Sequence, residues 1–298
     1  KKTYLFALMA MALTLGSCSD NENGIGGETS KYITVSTSIG NMTRVATDEK
    51  GGQTFEEGDE ISVYAWTGDA TVAPETRERV VNNAINKLTN GSWVSTPQML
   101  WKNNREKHYF IGVYPTAAIS DLSAGEYTFD VNKQTESDLL VAVNPDGLSY
   151  SADAQQIVPL TFTHVMAKLA VNLTYKNQWG GIPTVEKVVV GNAAKEATIN
   201  YLTKVVTPST TAKEDFSLPE ITENTKYVSV IIPQEEVTQL TIVIGGKNFV
   251  YDNGTPFKLE SGKITTVNLE VGRDEIKLGD VKITNWEDGS TFSGEALN

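Results

Sequence analysis

From Lys31 onward, short runs of alternating or β-branched residues recur at close intervals, and Gly, Asn, Asp or Pro ends each run before a helical period can develop. The clearest runs are 32–39, 60–66, 108–114, 127–131, 139–143, 160–175, 185–190, 227–232, 240–244, 263–271 and 281–286. Between them lie Asn90-Gly91, Pro145-Asp146-Gly147, Asp252-Asn253-Gly254 and Ser261-Gly262-Lys263, residues that accept the positive φ of tight hairpin turns. The pattern predicts an all-β chain with little helix. One short helix is expected within 72–88, around Glu75-Thr76-Arg77-Glu78-Arg79, although Asn82, Asn83 and Asn86 weaken it. Strand runs at this spacing are those of β-sandwiches, and two sandwiches of similar size fit the length. The expected border lies near residue 156, in the polar stretch 149–156 before Pro159, giving an N-terminal domain 31–156 and a C-terminal domain 157–298.

Charge and cysteine count narrow the function. A formal net charge of -12 gives a phosphate backbone nothing to bind, so nucleic acid is excluded as a partner. The single cysteine cannot form an internal disulfide, and stability must come from burial and strand pairing.

That cysteine, Cys18, follows Lys1-Lys2, an apolar stretch over 4–15 and Leu15-Gly16-Ser17, which is the order of a secretory leader. The apolar stretch is shorter than the roughly 20 residues of a bilayer span. Leu-Gly-Ser-Cys resembles a bacterial lipobox, so 1–17 are expected to be a lipoprotein signal peptide and Cys18 the lipidated residue. Each buried methylene adds about 0.8 kcal/mol, so two or more acyl chains make a stable anchor. Residues 18–30 are polar, acidic and glycine-rich and read as a flexible tether. Ser19-Asp20-Asn21-Glu22-Asn23 also resembles the acidic signal that sends such lipoproteins to the cell surface.

Catalytic chemistry has little to stand on. His108 and His164 are the only histidines, too few for a typical histidine-based metal cluster, and His164 sits in an apolar run where a hydrogen-bonded packing role is expected. No G-x-S-x-G elbow accompanies them. Gly24-Ile25-Gly26-Gly27 lacks the G-K-[ST] ending of a phosphate loop, and Asp20 to Gly24 places its glycine one position too early for a calcium loop. No enzyme activity, metal or cofactor is expected.

Five stretches carry a family likeness in order. Phe55-Glu56-Glu57-Gly58-Asp59-Glu60-Ile61-Ser62-Val63-Tyr64 reads F-x-x-G-D-x-I-x-V-Y, a turn feeding a strand with Ile61, Val63 and Ala65 on one face. Trp101 is followed by the aromatic strand Tyr109 to Tyr114 and Pro115. Then come Ser137-Asp138-Leu139-Leu140-Val141-Ala142, the segment from Leu160 to Leu169 reading L-x-F-x-H-x-M-A-K-L, and Ile283-Thr284-Asn285-Trp286-Glu287-Asp288-Gly289. Together they resemble the fimbrillins of Bacteroides-type, or type V, pili. The resemblance implies two transthyretin-like β-sandwich domains in tandem, made as a lipidated precursor of the outer membrane surface and the fimbrium. It implies other pilus subunits as partners, a host or bacterial surface receptor, and assembly by strand addition after a trypsin-like protease removes the first strand. Arg44, in polar Asn41-Met42-Thr43-Arg44 just beyond run 32–39, is the processing candidate; Lys50 and Arg77 are alternatives, and a solvated loop arginine is an equally good reading. Run 281–286 is either a donor strand or, as the bulky Trp286 favours, an internal strand; the tail beyond it could be a donor. A second function fits the same export signals: a surface glycan-binding lipoprotein using Trp66, Trp93, Trp101 or Trp179 as sugar platforms.

Overall fold

The computed structural model describes residues 31–40, 54–134, 136–151, 156–252 and 254–286. Strands β1 (Thr34–Ile39), β2 (Glu60–Thr67), β3 (Arg79–Thr89), β4 (Ser92–Thr96), β5 (His108–Tyr114), β6 (Gly125–Thr128), β7 (Leu140–Leu148) and β8 (Ile157–His164) come first. They are followed by β9 (Ala167–Tyr175), β10 (Val185–Ala194), β11 (Glu196–Asn200), β12 (Val205–Pro208), β13 (Lys213–Ser217) and β14 (Glu220–Thr222). The chain continues through β15 (Lys226–Ile231), β16 (Gln239–Ile244), β17 (Lys247–Asp252), β18 (Lys263–Val271) and β19 (Ile276–Asn285). The fold is all-β, as the recurring runs predict.

Seven strands form one sheet in the order β1-β8-β7-β5-β2-β3-β4, antiparallel except for the β1/β8 edge pair. This sheet curls until its edges meet beside β1: Ile33 donates its N–H to the Met99 carbonyl at 3.0 Å, and Trp101 to that of Lys31 at 3.1 Å. Strand alternation puts Ile61, Val63, Ala65, Phe110, Ala142, Val158, Leu160 and Phe162 inside the curl. Gly112 is glycine because a Cβ there would come within 2.6 Å of the Phe162 ring. The opposite face of the sheet, with Tyr64, Trp66, Ile111, Val113 and Val141, joins a second and larger core. That core also takes in Leu169, Val171, Val188, Val190, Ile242, Val267 and Leu269 from a four-stranded sheet, β13-β10-β16-β17, and a five-stranded one, β14-β15-β9-β18-β19.

One expectation changes. Within 72–88 only Thr76–Glu78 turns, as one 3-10 turn, while residues 79–88 extend as part of β3. The β-branched Val81 and Ile85 pair with neighbouring strands, and Asn83 at φ 54° makes room for a register shift that a helix reading takes as a weakness. The border expected near 156 falls just before β8, and strands from either side of it share sheets. Strand β8 belongs to the seven-stranded sheet through His164, whereas β6 leaves that half of the chain to pair with β11. The single run 160–175 is two strands in two sheets, turned at Val165-Met166. Continuous apolar character cannot reveal a strand that switches sheets.

Candidate assembly site

Strand β1 occupies the outer edge of the seven-stranded sheet, with one ladder neighbour, β8, paired in parallel from Thr34↔Ile157 to Ile39↔Phe162. Ser36 and Ser38 face solvent, while Val35 is buried in the core inside the curl. Trp93 on β4 reaches across the gap, its indole N–H donating to Thr37 Oγ1 at 3.0 Å. Beside this contact a groove of about 630 Å3 runs along β1, lined by Thr37, Ile39, Phe55, Trp93 and Ile157. Phe55 closes its floor, meeting Trp93, Tyr114 and Phe162 edge-on at 5.3, 5.4 and 5.1 Å. Both the lipid candidate Cys18 and the processing candidate Arg44 lie outside the described residues, as does the tail beyond Trp286. Arg77 is described: its side chain is 80% exposed and paired with Glu75 at 2.8 Å, in the 3-10 turn before β3.

At the other end of the described chain, three of the sequence motifs meet. His164, on β8, places Nδ1 2.8 Å from Asp138 Oδ1, and its N–H donates to that carboxylate. The Trp286 ring lies flat on the His164 ring, with centroids 4.1 Å apart and planes 7° from parallel. Lys168 Nζ stands 4.3 Å from the Trp286 ring centre. Burial depresses the Lys168 ammonium below its ordinary range, with Asp138 pulling the other way. Sequence spacing gives no warning that these four residues converge. The signal available was that each belongs to one of the quoted motifs.

His108 is fully buried and has a structural role. Its Nε2 accepts the Lys102 N–H at 3.0 Å, and its ring meets Trp101 edge-on at 5.0 Å. Burial pushes the imidazole below its ordinary value of 6.5, and Glu106 offsets this only in part. The unfolded chain therefore takes up this proton near pH 6.5 while the folded chain resists it. The stability involved is complete above that pH and is lost as pH falls through the lower folded value. Urea midpoints at about pH 7.5 and about pH 5.5 should fall further apart in the unaltered protein than in His108→Gln, which keeps an acceptor but does not titrate. Equal drops in both proteins would refute the assignment.

The four tryptophans named as sugar platforms are all wholly or partly buried in the fold. Trp66 and Trp101 are 2% and 8% exposed. Trp93 is half-buried with its N–H on Thr37. Trp179 is also half-buried: it donates to the Val271 carbonyl at 3.0 Å and carries the Arg273 guanidinium 5.5 Å from its ring centre. Among the described residues, no three His, Cys, Asp or Glu side chains gather as a metal site needs.

These features define a β-sandwich protein whose distinctive surface is an edge strand and a groove. A family model described as fimbrillin-like matches residues 43–286, and the chain belongs to that family. No curated protein sequence matches it. Among solved structures, a candidate cell adhesion protein from Bacteroides ovatus ATCC 8483 superposes with a TM-score of 0.62 at 18% identity, covering 86% of this chain and 98% of its own. One of the same description from Bacteroides uniformis ATCC 8492 gives 0.59 at 20% identity, with 86% and 100% covered. A fimbrial protein from Bacteroides vulgatus ATCC 8482 gives 0.52 at 12% identity, with 85% and 99% covered. At these identities the likeness is one of fold.

Proposed function

We propose that the protein is a pilus component, exported as a surface lipoprotein through Cys18 and joined to other subunits by β-strand exchange after a cut following Arg44. The supporting observation is the position of β1, an edge strand held by one ladder neighbour and lying beside an open groove. Its removal would bare the ladder edge of β8, beside the core residues Val158, Leu160 and Phe162. Unpaired N–H and C=O groups beside apolar side-chain seats are a template for another chain's strand: main-chain hydrogen bonds supply pairing, and alternate side chains fill the seats. In a stalk subunit the cut discards lipid, tether and first strand together; in an anchor, Cys18 keeps its lipid.

Limited digestion tests this. Purified protein treated with a trypsin-like protease should lose the segment ending at Arg44 by mass and then form an oligomer ladder on gels. Arg44→Gln should show neither change. Cleavage at Arg44 that leaves only monomer would remove the stalk role and leave the anchor or tip roles. A ladder persisting in Arg44→Gln would shift the processing assignment to Lys50 or Arg77.

A further inference from the structure

Strand β19 is an edge strand of the five-stranded sheet. It pairs with β18 on one side, and among the described residues nothing pairs with it on the other. Every residue from Lys277 to Ile283 is exposed, including the apolar Leu278, Val281 and Ile283. Those three sit across from Leu269, Val267 and Thr265, so their side chains point to the core side yet overhang it. The ladder is also interrupted: Asn268 pairs with Asp280 and Leu269 with Leu278, leaving Gly279 as the extra residue of a bulge. Little apolar burial and a broken ladder give β19 a low local stability.

One residue is the exception. Trp286, directly after the strand, is 6% exposed; its backbone N–H donates to the Gly262 carbonyl at 3.0 Å, while its buried indole N–H has no hydrogen-bond partner among the described residues. Its seat comes from three other segments: Asp138 before β7, His164 ending β8 and Lys168 on β9. That seat is built without β19. His164 is oriented by Asp138 and by ladder pairing with Leu140, and Lys168 sits in the middle of its sheet, paired with Val230 and Ile264. A flat imidazole beneath the indole and an ammonium near its π-system give the ring an orientation that burial alone would not impose.

We propose that the Asp138, His164 and Lys168 seat is a latch for Trp286, and that β19 opens as a local unit from its Trp286 end while β15, β9 and β18 stay closed. The remaining sheet can stand alone, because β18 keeps an eight-residue parallel ladder to β9, from Ile264↔Lys168 to Val271↔Tyr175. The latch is a property of the single chain, so it stands or falls independently of cleavage and polymerisation.

Hydrogen exchange on the full-length monomer, read by mass spectrometry, tests the latch. In the unaltered protein, amides of 280–286 should exchange faster than those of 167–175 by about tenfold or more. Asp138→Asn, which removes the carboxylate charge holding His164, and Lys168→Met, which keeps the stem and removes the ammonium, should each speed exchange in 280–286 by about a further tenfold. Neither should change 167–175. Equal protection of the two segments in the unaltered protein would overturn the proposal, and this comparison needs no variant to fold. Equal acceleration of both segments in the variants would overturn it as well, since the seat would then be ordinary core.

Discussion

Phe162→Ala should lower the unfolding free energy by about 3–5 kcal/mol, the upper range for a large-to-small core change. The side chain is completely buried and meets Phe55 at 5.1 Å. Gly112 lies against its ring with no side chain to move into the vacated space, so the cavity cannot close cheaply. The same residue joins two ladders, pairing with Ile39 on β1 and Ala142 on β7, while its carbonyl accepts the Gly40 N–H at 2.8 Å. At about 2–4 °C per kcal/mol for a chain of this size class, thermal melting should shift by roughly 10 °C. Ser36→Ala, an exposed change on β1, should stay within about 0.5 kcal/mol of the unaltered protein. A loss below about 1 kcal/mol for Phe162→Ala would mean that the curl of the seven-stranded sheet is not packed around this ring.

The contrast between Phe162 and Ser36 bears on what could be read in advance. Alternation along 32–39 assigns Val35 and Ser36 to opposite faces, and the structure places them so, because a strand's two-residue period survives any tertiary arrangement. The hairpin at Asn90-Gly91 was equally legible: both residues take positive φ, 52° and 72°, between β3 and β4. Periodicity could not say that β1 would lie parallel to β8, because that depends on where a strand over a hundred residues later turns. Nor could it separate β8 from β9 inside one apolar run. The convergence of Asp138, His164, Lys168 and Trp286 was invisible for the same reason. Each residue type suggests some interaction, but the partner is chosen by topology. The buried tryptophans mark the limit in the other direction, since a large amphipathic ring reads equally well as a binding platform or as packing until its exposure is known.

Trp66 and Trp179 turn that ambiguity into an experiment. Trp66→Ala should cost about 3–5 kcal/mol, because the ring fills the large core from the back of the seven-stranded sheet. Its N–H bond to the Asp69 carbonyl at 2.9 Å and its tilted contact with Tyr109 at 5.9 Å would be lost too. Trp179→Ala should cost only about 1–2 kcal/mol: the ring is half-buried, with one carbonyl bond, an edge contact to Phe249 at 5.8 Å and the Arg273 stack. Urea denaturation at neutral pH gives both values, with midpoint and slope fitted separately for each variant. The order matters more than either number. Trp66 joins the sheet that carries the β1 edge to the core shared with the other sheets, so its loss should uncouple the two cores and change the slope or split the transition. Trp179 meets Phe249, Val271 and Arg273, none of them in the seven-stranded sheet, and should lower the midpoint of one undivided transition. If Trp179→Ala proved the more damaging change, the seam behind β2 would not be what holds the two halves of the chain together.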